Sequence, residues 1–348
     1  MALGDGIRRN IARVTSEERK RLIAAFVALN SRKYPGSPTD RQFDRPVPGG
    51  LSYWFKQDEI HARTGVHRQP IFLPWHRELL KRIEQDLRGI DPQLSLHYWD
   101  WTTDPRSQAS GGTTFSLFTP ELMGSEQGAV GAPWLGAGYY DPVANPARSD
   151  DPHGQDYNAA FAPRILDRTM RPGSPNSSAD EQSLLTAPDF STASGIIEDM
   201  HDRAHGFVGG AIGNPHTSFR DPFVFLLHSN VDRLFALWQL QPGHPERLDP
   251  ARLYGDDLDP LTRYDGDVLT HDGRGFVADP DDIVWSIDSP MLPWSGFEFD
   301  AADSAGQRMR LAIIPIRPWA APENAHVGHP VSPKDLSVVT PPKYDTNP

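Results

Sequence analysis

The stretch that most constrains this chain is DPFVFLLHSNVDRLFALWQ, residues 221–239, an apolar run with one histidine, His228, near its middle. Leu227, Val231, Leu234, Phe235 and Trp238 recur at the spacing of one buried helix face. Asp221 stands at the cap, Pro222 at the first helical position, and Pro242-Gly243 closes the run. An imidazole inside such a face loses its hydrogen bonds to water and needs a replacement. Two replacements are open. A core histidine is satisfied by a carbonyl or by Asp232, one turn later. A metal ligand binds through one ring nitrogen while Asp232 holds the other.

Three further helices are predicted. Thr15 to Asn30 opens with a Thr15/Glu18 capping box and places Leu22, Ile23, Phe26, Val27 and Leu29 on one side. Pro74 to Leu87 carries the stripe Leu79, Leu80, Ile83 and Leu87, with His76 near its start, and Gly89 with Pro92 ends it. Gly195 to Val208 stops at Gly209-Gly210. Ser37 to Gly50 reads as a loop, and Thr102 to about Ser194 reads as long irregular segments wrapped on a scaffold. A strand-like run, Met309 to Ile316, lies in the Asp- and Pro-rich C-terminal hundred residues. No internal repeat or linker is visible. The expected fold is mainly α, one domain over 1–348 with long loops and a few short strands.

Composition removes several classes. The chain of 348 residues has no cysteine, which excludes disulfides, thiolate metal sites, iron–sulfur clusters and cysteine nucleophiles. A formal charge of −12 argues against nucleic-acid binding, which needs a basic stripe. No apolar run reaches the ~18 residues that cross a bilayer, and no apolar segment follows the basic N-terminal residues, so a cytoplasmic protein without membrane contact is expected.

Among the 13 histidines, six fall into two sets of three: His61, His67 and His76, then His201, His205 and His228. His201 and His205 are spaced i, i+4, so a helix projects both from one face. Alone, that pair fits a solvated helix face better than a metal site. Imidazole suits Zn, Cu, Fe and Ni, whereas Mg and Ca prefer oxygen. The zinc-protease pattern H-E-x-x-H fails because Asp202 follows His201. Two sets of three suit a pair of copper ions, although spacing alone does not identify the metal.

The motifs then carry a resemblance. HRQPIFLPWHREL, with His67 and His76, resembles the first copper signature of the tyrosinase family. HDRAH, then VGG, then DPFVFLLHSNVDRLFALWQ, resembles the second, and YWDW after His97 resembles the segment between them. The resemblance covers roughly residues 51–241. It implies a four-helix bundle as the core, at about 51–241, with 242–348 as a C-terminal extension packed on it. It further implies that the bundle holds a binuclear (type 3) copper centre, with His61, His67 and His76 on one ion and His201, His205 and His228 on the other. It also implies dioxygen as co-substrate and small phenols as substrates, with o-diphenols oxidised to o-quinones and, in full tyrosinases, monophenols hydroxylated at the ortho position. Some members need a copper-delivery partner, and the sequence leaves that open. The chain departs from many relatives in the close spacing of His61 and His67, in Leu227 before His228, and in the absence of a cysteine cross-linked to a copper histidine.

Where the family has Asn after the first histidine of the second set, this chain has Asp202, with Glu198 one turn before. In the family that Asn and a nearby Glu order the water that deprotonates a phenol. Here Asp202 either accepts the phenol proton itself or, by its charge beside Glu198, disturbs that water, and an ordinary charged helix turn uses the same two residues. Gly206, Pro215 and His216 occupy positions that line the substrate entrance in relatives. His97 is expected to be structural, and His153, His244, His271, His326 and His329 bystanders. Three other functions use the same residues: an o-aminophenol oxidase of the same family, a haemocyanin-like oxygen carrier without turnover, and a mononuclear zinc hydrolase built on His201 and His205 alone. The last leaves His67 and His76 unexplained.

Overall fold

The computed structural model describes residues 3–31, 39–40, 45–46, 61, 67–68, 70–126, 140–142, 161–163, 168–215, 218–255, 297–299, 311–313 and 336–347. Its helices are α1 (Ser16–Ser31), α2 (Phe72–Ile90), α3 (Ser178–Leu185), α4 (Phe190–Val208), α5 (Phe223–Gln239) and a final turn, α6 (Leu336–Val339). The four long ones form the bundle: α1 packs on α2, α2 on α5, and α5 on α4. The described strands form four two-stranded antiparallel pairs.

The bundle follows from the apolar stripes. Leu79, Leu80, Ile83 and Leu87 of α2 are fully buried, as are Leu22 and Phe26 of α1. On α5 burial extends all round the helix, including His228, Ser229 and Asn230. Each fully buried large apolar side chain contributes roughly 1.5–3 kcal/mol, so α5 is the element the others are built around.

The helix starts show how local chemistry sets boundaries. Thr15 caps α1 by accepting the Glu18 N–H at 3.1 Å. The reciprocal half of that capping box is absent, because the Glu18 carboxylate lies 3.0 Å from His97 Nε2. His97 Nδ1 accepts the Arg9 N–H at 3.2 Å, which bears out its structural role. Asp221 accepts the Phe223 N–H at 2.9 Å while holding the buried Arg168 guanidinium.

Within the stretch expected to be irregular, Ser177 and Asp180 form a complete capping box for α3. Asp189 starts α4 at Phe190, five residues earlier than the expected Gly195. Leu184 is the one buried residue of α3, so no apolar stripe advertised it. In the expected loop 37–50, Thr39–Asp40 pairs with Arg45–Pro46. The strand-like run contributes Leu311–Ile313, paired with Phe297–Phe299, and the rest of it lies outside the described residues.

A buried ion network joins α2 to α5. Arg8 bonds Glu84 of α2 at 3.0 Å and Asp232 of α5 at 2.8 Å. Arg77 reaches the other Asp232 oxygen. Tyr344, near the C-terminus, donates to the Ser229 carbonyl and receives from Arg8. Val338 and Val339 of α6 are buried in the main apolar cluster. Arg8 and Tyr344, 336 positions apart, are thereby tied to α2 and α5, which carry His76 and His228. Among the described residues no helix is long and apolar enough to cross a membrane.

Candidate metal centre

All six histidines converge. His76 projects from the first turns of α2, His201 and His205 from α4, and His228 from α5. His61 and His67 come from the segment before α2. The candidate ligand atoms of His61, His67 and His76 lie within 4.8 Å of one another, and so do those of His201, His205 and His228. The two triads stand side by side. His76 and His228 stack at 4.8 Å between ring centroids, with planes 7° apart, and His67 faces His201 at 5.6 Å.

Hydrogen bonds on the outer side of the rings decide which nitrogen faces the centre. His76 Nδ1 donates to the Phe72 carbonyl at 2.8 Å and His228 Nδ1 to the Val224 carbonyl at 2.9 Å, each four residues back on its own helix. His205 Nδ1 donates to the Ile212 carbonyl at 2.6 Å and His61 Nδ1 to the Pro215 carbonyl at 3.0 Å. His201 Nδ1 donates to the Asp202 carboxylate at 2.9 Å. With the proton on Nδ1, the Nε2 lone pair is left to point inward, the arrangement in which histidine binds metal.

The inward atoms fit a cation and little else. The Nε2 atoms of His201 and His228 lie 3.2 Å apart, although both rings already spend their proton on Nδ1. The buried Nε2 atoms of His76 and His205 have no hydrogen-bond partner. Lone pairs aimed at one another in a buried site are costly unless a positive charge lies between them. Burial, reinforced by neighbouring imidazoles, holds His61, His76, His201 and His228 well below the usual histidine pKa. Burial brings His205 down to about 4. All five therefore stay neutral near pH 7, as ligation requires.

Aromatic rings shield the centre. Phe219, from the short turn Ser218–Arg220, lies 4.4 Å from His61 and 5.0 Å from His228 between centroids. Phe72 lies 4.7 Å from His76 and 5.1 Å from His201. The sequence reading missed both. Phe72 carries the i−4 relation to His76 as a signal, whereas Phe219 carries none.

The remaining candidates divide. Glu198 is buried one turn before His201. Burial drives its pKa up to about 7, against the pull of the Arg68 N–H and charge. Its Oε1 accepts that N–H at 2.6 Å. Asp202 is half-exposed and committed on both oxygens, one to His201 Nδ1 and the other to the Arg68 guanidinium. Gly206 sits on α4 with a Cβ direction that meets nothing within 4 Å. Pro215 is exposed and approaches the centre through its carbonyl. His216 lies outside the described residues.

Asp232 does not hold His228. The helix supplies the Val224 carbonyl for that, and Asp232 turns instead to the buried Arg8, which it shares with Glu84, and to the buried Arg77.

Two facing histidine triads in a helical bundle define a class, the proteins with a binuclear metal centre. Sequence comparison gives the family. Residues 48–241 match the common central domain of tyrosinase, and the chain belongs to the tyrosinase family. It is 30% identical over 253 residues to a tyrosinase of Streptomyces glaucescens, covering 69% of this chain and 84% of that one. It is 28% identical over 322 residues to the grixazone synthase of Streptomyces griseus, covering 76% of this chain and 96% of that protein. A polyphenol oxidase structure from Thermothelomyces thermophila superposes with a TM-score of 0.48 at 21% identity, over 70% of this chain and 74% of the other. The protein is a tyrosinase-type copper oxidoreductase, and its two triads fit the binuclear copper that the family implies.

Proposed function

We propose that His61, His67 and His76 hold one copper ion, that His201, His205 and His228 hold the other, and that the centre oxidises small o-diphenols to o-quinones with dioxygen. The observation that carries this is the pair of facing triads whose Nε2 atoms are turned inward. Bound copper supplies two adjacent one-electron centres, matching the two electrons removed from a catechol.

The chain's own residues do the rest. Backbone carbonyls at 72, 212, 215 and 224 and the Asp202 carboxylate hold the rings in one tautomer. Phe72 and Phe219 keep water from the imidazoles. Gly206, with no side chain, leaves the approach past α4 open, which favours an enzyme over a closed oxygen carrier. Glu198 is the group suited to take a phenol proton, because a base works best with a pKa near the working pH. Asp202, with both oxygens engaged, acts through His201 instead. This division supports ortho-hydroxylation of monophenols as a second activity.

The test is dioxygen uptake and quinone formation by copper-loaded protein with a monophenol, its catechol and the corresponding o-aminophenol. Catechol turnover supports the reading, and monophenol turnover extends it to a full tyrosinase. Fast o-aminophenol oxidation with a slow catechol reaction would move the substrate class. Reversible oxygen binding with no turnover of any of the three would leave a carrier.

A further inference from the structure

Among the described residues, Arg68 is the one non-glycine with a left-handed backbone, at φ 57°. Side chains at that conformation crowd their own carbonyl, so such a residue persists only where its surroundings over-determine it. Here they do. The Arg68 N–H donates to the buried Glu198 carboxylate at 2.6 Å. Its guanidinium bonds Asp199 at 2.8 Å and also reaches Asp202. All three acceptors lie on α4, in the turn around His201, whereas Arg68 itself directly follows His67. One residue from the segment of the first triad is thus pinned, by main chain and side chain separately, to the helix of the second.

We infer that Arg68 is a positioning residue that couples the two triads. Its main chain, anchored on Glu198, sets where His67 stands, and its guanidinium steers the Asp202 carboxylate that holds His201 Nδ1. The guanidinium is 58% exposed, and an isolated exposed ion pair does little. What sets this one apart is that the partner carboxylate spends its other oxygen on a ring of the centre. The His201 ring is also the exception among those with a described Nδ1 partner, because the other four rest on backbone carbonyls. A carbonyl of the backbone cannot swing away, whereas a half-exposed carboxylate can, and Arg68 removes that freedom.

The inference rests on the reading that the triads hold copper, and the test separates the two. Copper-loaded protein is titrated with a competing chelator and the copper retained per chain is measured. Arg68→Gly is the informative variant: glycine adopts φ 57° without strain and keeps the N–H on Glu198, so only the guanidinium is lost. In a His76→Ala background, where the second triad stands alone, Arg68→Gly should release copper at about tenfold lower chelator, the low end of what losing an outer partner of a ligand costs. Arg68→Lys should recover part of that loss. In a His228→Ala background, where the first triad stands alone, Arg68→Gly should change little, while Glu198→Leu, which removes the main-chain anchor, should weaken retention. Superimposable titrations of Arg68→Gly and its parent in the His76→Ala background would overturn the inference and leave the copper reading intact. Equal losses in both backgrounds, with a lowered melting temperature of the metal-free protein, would also overturn it, by showing a general effect on folding. Failure of the unsubstituted protein to take up two coppers would overturn the copper reading itself.

Discussion

The two triads have the same number of imidazoles but stand on different kinds of support. The second is entirely helical. His201 and His205 share one face of α4, His228 sits at the middle of α5, and all three are buried. The first has His76 on α2 and His61 at a helical position, whereas His67 lies in a turn and is only partly buried. His61 is held by the Pro215 carbonyl from the second half of the chain. A helix presents its ligands by its own period, whereas a turn needs contacts from elsewhere to do so. The second triad is built by packing, and the first is completed by cross-links to the second half of the chain.

The largest expected effect tests whether that asymmetry concerns support alone. His228→Ala and His61→Ala should each abolish catechol oxidation and leave one copper per chain, measured by oxygen uptake and metal analysis. Two retained coppers in His61→Ala would show the first triad to be closed by another residue. Next comes Glu198, the proposed proton acceptor. Glu198 has its pKa raised from the ordinary 4.5 to about 7, so it is protonated, and unable to accept, below that value. Monophenol turnover should therefore rise with pH through about 7, and Glu198→Gln should lower it about a hundredfold and flatten that limb. A pH profile unchanged in the variant would remove Glu198 from the reaction.

Asp232 tests the packed side of the comparison. Asp232→Leu removes one of the two carboxylates on the buried Arg8, which keeps Glu84, and takes the carboxylate from the buried Arg77. Breaking such a cluster from one side costs about 3–5 kcal/mol, which denaturant unfolding would register. A loss below about 1 kcal/mol would mean that the ions do not secure α5. The smallest effect is at Gly206, where an added methyl meets nothing. Gly206→Ala should stabilise α4 by about 0.5–1 kcal/mol and leave the catechol KM within about twofold. A larger KM change would place substrate directly against this turn.

Legibility in the sequence follows the same division. The apolar stripes of α2 and α5 and the His201/His205 spacing are local and periodic, and α2 and α5 form within three residues of where that pattern puts them. α2 begins two residues before Pro74 and runs through Gly89, and Pro222 caps α5 instead of opening it. The early start of α4 and all of α3 were hidden because Asp189 and Ser177 sit among Pro, Ser and Asp residues that read equally well as loop. At the centre, the sequence motifs named the six histidines, but the groups that orient them are mostly backbone carbonyls, and a carbonyl has no letter. Asp232 shows the converse. Its position one turn after His228 suits a ligand-holding carboxylate, yet two arginines from distant parts of the chain claim it.

The sequence by itself determined the period of the helices, the pairing of His201 with His205 and the absence of thiolate chemistry, because each depends on neighbours within a few residues or on composition. Only the tertiary structure decided that Pro215 holds His61, that Arg68 reaches across to α4, and that Glu198 is buried while Asp202 stays half-exposed. Those contacts join residues up to 154 positions apart. No local pattern encodes them, since they exist only once packing of the apolar faces has fixed which helix stands beside which.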